Sequence, residues 1–251
     1  MIKPQIMLHY RKVKSDKEQS TRTIRTTCSL IAQCVSMNLV FEPSVVLTDF
    51  EEAAINAVST VLPASRLHGC RVHLGKSWWR WIQALGLSED YKVKGAPVAQ
   101  WLLLFWGLSL LPADEVVAAF TDEIMSRMPN NDRCQRFADY VVEHHLDDGC
   151  DFSPGKRPDL LPTTTNGAES FHGHLNAEFL APHPNIYIFV QALLRQQTAT
   201  YISTESLSFT RRQPRADRDK YAKQLQLYTD YRRGILSLKY YCLRSAYRAA
   251  P

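Results

Sequence analysis

The sequence has no apolar run long enough to cross a membrane. Its most apolar stretch, residues 98–111, contains Gln100 and Gly107. That stretch is shorter than the roughly 20 residues that a transmembrane helix needs. The first residues also lack the pattern of a signal peptide. We therefore expect an intracellular protein with no membrane partner.

Cysteine is present but lacks the spacing of a disulfide framework. The six cysteines are scattered along 251 residues, which is typical of free thiols. With 45% hydrophobic residues, the chain can bury a sizeable core. Its length fits one large domain or two small ones.

The positive charge is concentrated at one end of the chain. Residues 211–251 carry eleven Lys and Arg against three Asp, a net charge of +8, which leaves −3 for residues 1–210. A basic segment of this kind favours a polyanion such as nucleic acid, and a merely solvated helix face is an equally weighted alternative. The candidate DNA-binding residues are Arg211, Arg212, Arg215 and Arg218.

A short apolar run, residues 45–47, is typical of a buried strand covered on both faces. Apolar residues at helical spacing follow it, so Asp49 lies where the strand runs into a helix. Functional groups in open α/β sheets gather at the carboxyl ends of strands. A simpler interpretation makes Asp49 an N-cap of the helix, and for Asp49 taken alone this cap is favoured.

The neighbouring pattern predicts a small sheet followed by helices. Residues 5–10 fit an edge strand, residues 18–37 a helix and residues 66–72 a second short strand. This order favours a parallel or mixed sheet. From residue 74 to residue 160 helical patterns replace strands, and we expect the tryptophans there to form a core.

A second polar stretch begins a predicted helix near Asn166. Glu169, His172 and Asn176 have the spacing i, i+3 and i+7 and therefore share one helix face. Such a face is either a functional site or simply exposed to solvent. Spacing alone leaves both interpretations open.

These residue types permit three kinds of chemistry. Asp49 and Glu169, two carboxylates from distant parts of the chain, can jointly hold Mg²⁺ for phosphodiester transfer. Cys70 and His73, in the order Cys-x-x-His, form half of a zinc site, which is a weaker hypothesis. A Cys70–His73 nucleophile pair comes last, because no acid is evident to orient the histidine.

Four stretches together resemble the transposases of Mutator-like elements (MULEs). Residues 46–57, VLTDFEEAAINA, are similar to the second catalytic block of that family, and residues 68–74, HGCRVHL, resemble its Cys-x-x-His block. Residues 110–120, LLPADEVVAAF, resemble its helical insertion, and residues 164–172, TTNGAESFH, its Glu-bearing block. The four stand in the family's order, and the likeness covers roughly residues 4–200.

The resemblance implies an RNase H-like α/β core that lacks its first two strands, carries a large all-helical insertion and is mostly α by residue count. It also implies a nuclear enzyme that binds Mg²⁺ or Mn²⁺ and cuts and joins transposon-end DNA. Asp49 and Glu169 would then be catalytic metal ligands, with His73 as a further catalytic residue. Cys70, His172 and Asn166 would lie near the site.

The implied segments are a partial core (residues 1–73), a helical insertion (74–162), the Glu-bearing part of the core (163–205) and a basic helical tail (206–251). The family's first catalytic Asp lies on its first strand, and no acidic residue before Asp49 lies in a strand-like stretch. We therefore predict that the chain alone does not cut DNA. The alternative is a transposase-derived, non-catalytic DNA-binding protein that uses the basic segment. An exposed sheet edge would also permit homo-oligomers.

Overall fold

The computed structural model describes residues 5–8, 16–50, 52–146, 166–179, 183–205 and 215–246. The chain divides into two units. The first comprises residues 1–165 and 222–251, and the second comprises residues 166–221.

The first unit contains a small parallel sheet. Its strands are β1 (Gln5–Leu8), β2 (Val45–Thr48) and β3 (Arg66–Gly69), in the spatial order β1-β2-β3. Helices α1 (Asp16–Ser36) and α2 (Glu52–Val61) connect them, as parallel pairing requires. Val46 pairs with Ile6 on one side and Leu67 on the other, and is fully buried in the central strand. The predictions of an edge strand near the start of the chain, of a buried strand at residues 45–47 and of a parallel or mixed sheet are confirmed.

Helices make up most of the described residues. After α2 they are α3 (Arg71–Ala84), α4 (Ser88–Lys92), α5 (Pro97–Leu108), α6 (Ala113–Ala119), α7 (Asp132–His145), α8 (Asn166–Ala177), α9 (Ile186–Glu205), α10 (Arg215–Arg232) and α11 (Leu238–Ala246). A π-helical turn (Phe120–Ile124) and a 3₁₀ turn (Met125–Arg127) follow α6.

The prediction of an RNase H-like core is wrong. Such a core needs a larger multistranded sheet, whereas the described residues contain three strands of four residues each. The reason lies in the periodicity after residue 70, where apolar residues recur at helical spacing and bury against other helices. The helices therefore hold the main core of the first unit, and the sheet is a minor part of it.

The core is built around α5, which is buried on nearly all sides. Trp101 and Phe105 of α5 meet Phe137 of α7 edge-on, with the rings of Phe105 and Phe137 4.8 Å apart. Trp78 of α3 is fully buried against the same cluster, as expected from the sequence. Trp81, by contrast, is 37% exposed. A helix apolar all round belongs in a core, which explains the composition of α5.

The C-terminal helices pack on this core. Gly107 of α5 lies so close to the backbone of Cys242 in α11 that a Cβ atom has no room. The Tyr241 hydroxyl donates to the Leu110 carbonyl at 2.8 Å, and the Tyr241 ring stacks on Tyr231 at 4.8 Å. The part of the basic segment from residue 222 to residue 246 is therefore folded onto the first unit.

The described part of the second unit comprises α8, α9 and the start of α10, and α9 has an exposed apolar surface. Phe179, just after α8, stacks on Phe189 of α9 at 5.9 Å, and the Arg195 side chain donates to Glu178 at 2.9 Å. Tyr187 and Ile202 of α9 are nevertheless 77% and 65% exposed. Among the helices described, none has the length and apolar character needed to cross a membrane.

Candidate functional site

The carboxyl edge of the sheet brings together the residues that follow β2 and β3. Because the strands are parallel, Asp49 after Thr48 and Cys70 after Gly69 lie at the same edge. The Cys70 N–H donates to the Thr48 carbonyl at 2.7 Å, and the Thr48 hydroxyl donates to Asp49 Oδ1 at 3.4 Å. Asp49 is half-buried there. The sequence therefore placed Asp49 correctly at the edge where α/β sheets bind ligands.

The described part of the helix that follows Asp49 starts at Glu52. An N-cap is the residue immediately before the first helical residue, and α2 starts at Glu52. Asp49 lies three positions before Glu52, and residue 51 lies outside the described residues, so the capping interpretation stays a prediction. The Asp49 carboxylate also accepts from the Thr48 hydroxyl at the strand end.

Cys70 and His73 lie in the turn into α3 and its first turn, because β3 ends at Gly69 and not at residue 72 as predicted. Cys70 is the N-cap residue, with extended backbone angles and no capping hydrogen bond from its side chain. Its thiol is fully buried, whereas a nucleophile must reach its substrate. The arrangement therefore argues against the Cys70–His73 nucleophile pair.

A cationic side chain also lies close to this edge. Arg71 follows Cys70 and is half-buried. Burial lowers the pKa of the Arg71 guanidinium, while the nearby Cys70 and Tyr241 act in the opposite direction. A guanidinium stays protonated in proteins, so this edge carries a fixed positive charge next to Cys70.

His145 is a residue near this edge that the sequence reasoning missed. It is 5% exposed and meets the ring of Phe50, the residue after Asp49, at 5.4 Å. Trp78 and Tyr140 complete its surroundings at 6.1 and 5.9 Å. Neither ring nitrogen has a hydrogen-bond partner among the described residues. Burial, with His144 as a smaller cause, lowers the pKa of His145 to about 4, so the ring is neutral.

The sequence carried a signal for that burial. His145 follows Phe137 and Val141 at intervals of four residues, which is the buried face of α7. A histidine that continues an apolar helix face is expected in the core, whichever residues surround it.

The remaining predicted site residues lie in the second unit or outside the described residues. α8 begins at Asn166, and within it Glu169 is half-buried and His172 exposed. Asp49 belongs to the first unit and Glu169 to the second. Their roles as catalytic and metal-binding residues stay predictions.

A search for potential metal ligands covers the described residues alone. Across the described parts of the chain, no three His, Cys, Asp or Glu side chains are grouped so that they could hold a metal ion. At the sheet edge, Asp49 is the carboxylate that the described residues supply. The binding of Mg²⁺ or Mn²⁺ by Asp49 and Glu169 therefore stays a prediction.

The segment from residue 215 to residue 246 carries many exposed basic side chains. Arg211 and Arg212 lie outside the described residues, and Arg215 is exposed with its Nε 3.8 Å from Asp219. Six further cations are exposed and have no ion-pair partner among the described residues. They are Arg218, Lys220, Lys223, Arg233, Lys239 and Arg244.

Comparison of the chain with protein-family models, with curated proteins and with solved structures found no match.

Proposed function

We propose that this chain derives from a MULE-type transposase and binds DNA through α10 and α11 without cutting it. The observation that carries the proposal is the set of four exposed Lys and Arg side chains of the first unit without ion-pair partners among the described residues, Lys223, Arg233, Lys239 and Arg244. Such cations neutralise backbone phosphates and release counterions, which supplies most of sequence-independent DNA affinity. Cations already paired within the protein would contribute much less.

The positions of the acidic residues support the non-catalytic half of the proposal. β1, with the sequence QIML, carries no carboxylate next to β2. The acidic residues before Asp49 lie elsewhere: Asp16 and Glu18 in the first turn of α1, and Glu42 exposed in the loop before β2. A strand-borne partner for Asp49 is thus missing from the described sheet.

The resemblance also motivates two finer expectations. A protein that binds transposon DNA would work in the nucleus, which imaging of a fluorescent fusion tests directly. A homo-oligomer is the second expectation, and the exposed apolar side chains of α9 support it. Light scattering after gel filtration gives the mass, and a monomer at 100 µM (about a hundredfold above a micromolar affinity) would contradict self-association.

The test of DNA binding is the salt dependence of affinity for a fluorescent duplex. We expect the logarithm of the affinity to fall linearly with the logarithm of salt concentration. The double variant Lys223→Gln with Arg233→Gln should make this negative slope less steep by about 2, since each lost phosphate contact reduces its magnitude by about 0.9. Lys76→Gln/Arg80→Gln, an equal charge change on exposed positions of α3, is the matched control. An equal loss in both variants would contradict binding through α10 and α11.

The sequence-predicted contacts are tested in the same assay. Replacing all four of Arg211, Arg212, Arg215 and Arg218 by Gln should reduce affinity, whereas Asp49→Ala should leave it unchanged. For catalysis, the purified chain is incubated with labelled DNA and Mn²⁺, and we expect no cleavage. Cleavage that disappears in Asp49→Ala would overturn the non-catalytic half of the proposal.

A further inference from the structure

A small cavity opens on the surface of the first unit. Its lining residues come after the sheet-edge residues Asp49 and Cys70 in the sequence. It lies between α5, the 3₁₀ turn at residues 125–127 and α11, and has a volume of about 150 Å³. Trp101, Leu104 and Leu243 supply its apolar lining. Gln100, Arg127 and Lys239 supply its polar lining. A cavity of this volume can hold a six-membered ring such as benzene.

The apolar part of the cavity is fixed before any ligand arrives. Trp101 is 2% exposed, and its Nε1–H donates to the Ile124 carbonyl at 3.0 Å. Its ring is also held edge-on against Phe105 at 4.9 Å. A ligand ring would thus meet a lining that needs little ordering, which favours affinity.

The polar part of the cavity carries a net positive charge. Lys239 is exposed, and no ion-pair partner for it occurs among the described residues. Arg127 pairs with Glu123 at 2.6 Å and uses Nη1 for the Glu123 carbonyl and the Ser126 hydroxyl. A guanidinium has five N–H donors, so Arg127 keeps donors for a ligand. Two cations and one carboxylate leave a charge of +1, which matches a monoanion.

We propose that this cavity binds a small organic acid with one ring-sized apolar body and one carboxylate. The body would lie against Trp101 and Leu104, and the carboxylate would meet Lys239 and Arg127, with the Gln100 amide as a further donor. This chemistry differs from that of a DNA phosphate, which lacks an apolar body. The inference therefore does not depend on the proposed DNA binding.

The test uses benzoate as the probe, with the full chain and amide NMR shifts as the readout. Benzyl alcohol keeps the ring without the charge, and inorganic phosphate keeps a charge without the ring. We expect a dissociation constant on the order of 1 mM for benzoate, since the ion pair is exposed and the ligand small. Both reference compounds should bind at least about threefold more weakly.

Two variants separate the contributions of charge and space. Lys239→Gln should weaken benzoate binding about two- to fivefold, the range expected for an exposed ion pair, without changing benzyl alcohol binding. Leu243→Trp should fill the cavity and remove the binding of both. Lys223→Gln, an exposed lysine on α10, is the matched control and should change neither.

Three outcomes would overturn the proposal. One is benzoate shifts that do not centre on α5 and α11. Another is phosphate binding as strong as that of benzoate. The third is an unchanged benzoate affinity in both Lys239→Gln and Leu243→Trp. A wild-type circular dichroism spectrum for both variants shows that they are folded, so that their affinities can be compared with that of wild type.

Discussion

His145 should make the stability of the fold depend on pH. Its pKa is about 4 in the folded chain, compared with 6.5 for an unperturbed histidine, because it is buried among Phe50, Trp78 and Tyr140. A lowered histidine pKa means that the unfolded chain binds the proton more readily. Stability from this group is therefore complete above about pH 6.5 and falls as the pH drops toward 4.

The magnitude follows from the difference between the two pKa values. A difference of about 2.5 units corresponds to about 3 kcal/mol in total, of which about 2 kcal/mol is lost between pH 7 and pH 5. This loss is a large fraction of a typical folding stability of ~5–15 kcal/mol. Because His145 is 5% exposed, solvent screening should reduce the effect little.

The assay is urea unfolding followed by tryptophan fluorescence at pH 7, 6 and 5. Between pH 7 and pH 5, we expect the free energy of unfolding to fall by about 2 kcal/mol less in His145→Leu than in the wild-type protein. At pH 7 the substitution should cost little, since it also removes two buried ring nitrogens that lack hydrogen-bond partners among the described residues. His144→Gln removes only the smaller cause of the lowered His145 pKa and should therefore reduce the pH dependence much less than His145→Leu does. An equally steep pH dependence in His145→Leu would refute the reasoning.

Two further predictions concern the packing of α11 on α5. Gly107→Ala places a Cβ against the Cys242 backbone and should lower the free energy of unfolding by about 1–3 kcal/mol in urea titrations. Gly173→Ala on α8 is its matched control, because a Cβ there meets nothing within 4 Å, and it should be neutral or slightly stabilising. Tyr241→Phe removes the hydroxyl that donates to the Leu110 carbonyl and should cost about 1–2 kcal/mol, measured by thermal unfolding. A melting temperature equal to that of wild type would mean that this hydrogen bond contributes nothing.

The sequence predicted local features well because local features follow from periodicity. The apolar run at 45–47 became the central strand, and the helical spacing after it became α2. The strand predicted at 66–72 was too long. Leu74, Trp78 and Ile82, at intervals of four, extend the buried face of α3, so the helix begins at Arg71.

The size of the sheet was not predictable in the same way. An RNase H-like core was inferred from short blocks such as residues 46–57, and each block fixes a strand end or a helix start. The number of strands that pair depends on contacts between distant segments, which local spacing does not report. Blocks of this kind correctly located Asp49 at a strand end while the inferred architecture around it was wrong.

Lys239 belongs to both proposed binding surfaces, which makes one competition experiment informative. If the first unit binds DNA through its four exposed cations, benzoate bound at the cavity removes at most the contribution of Lys239. Saturating benzoate should then lower the slope of the salt dependence by no more than about 0.9, one phosphate contact. A larger loss would mean that DNA enters the cavity itself, and the two surfaces would be one. An unchanged slope would place Lys239 outside the DNA contact and leave the other three cations of the first unit to bind the phosphates.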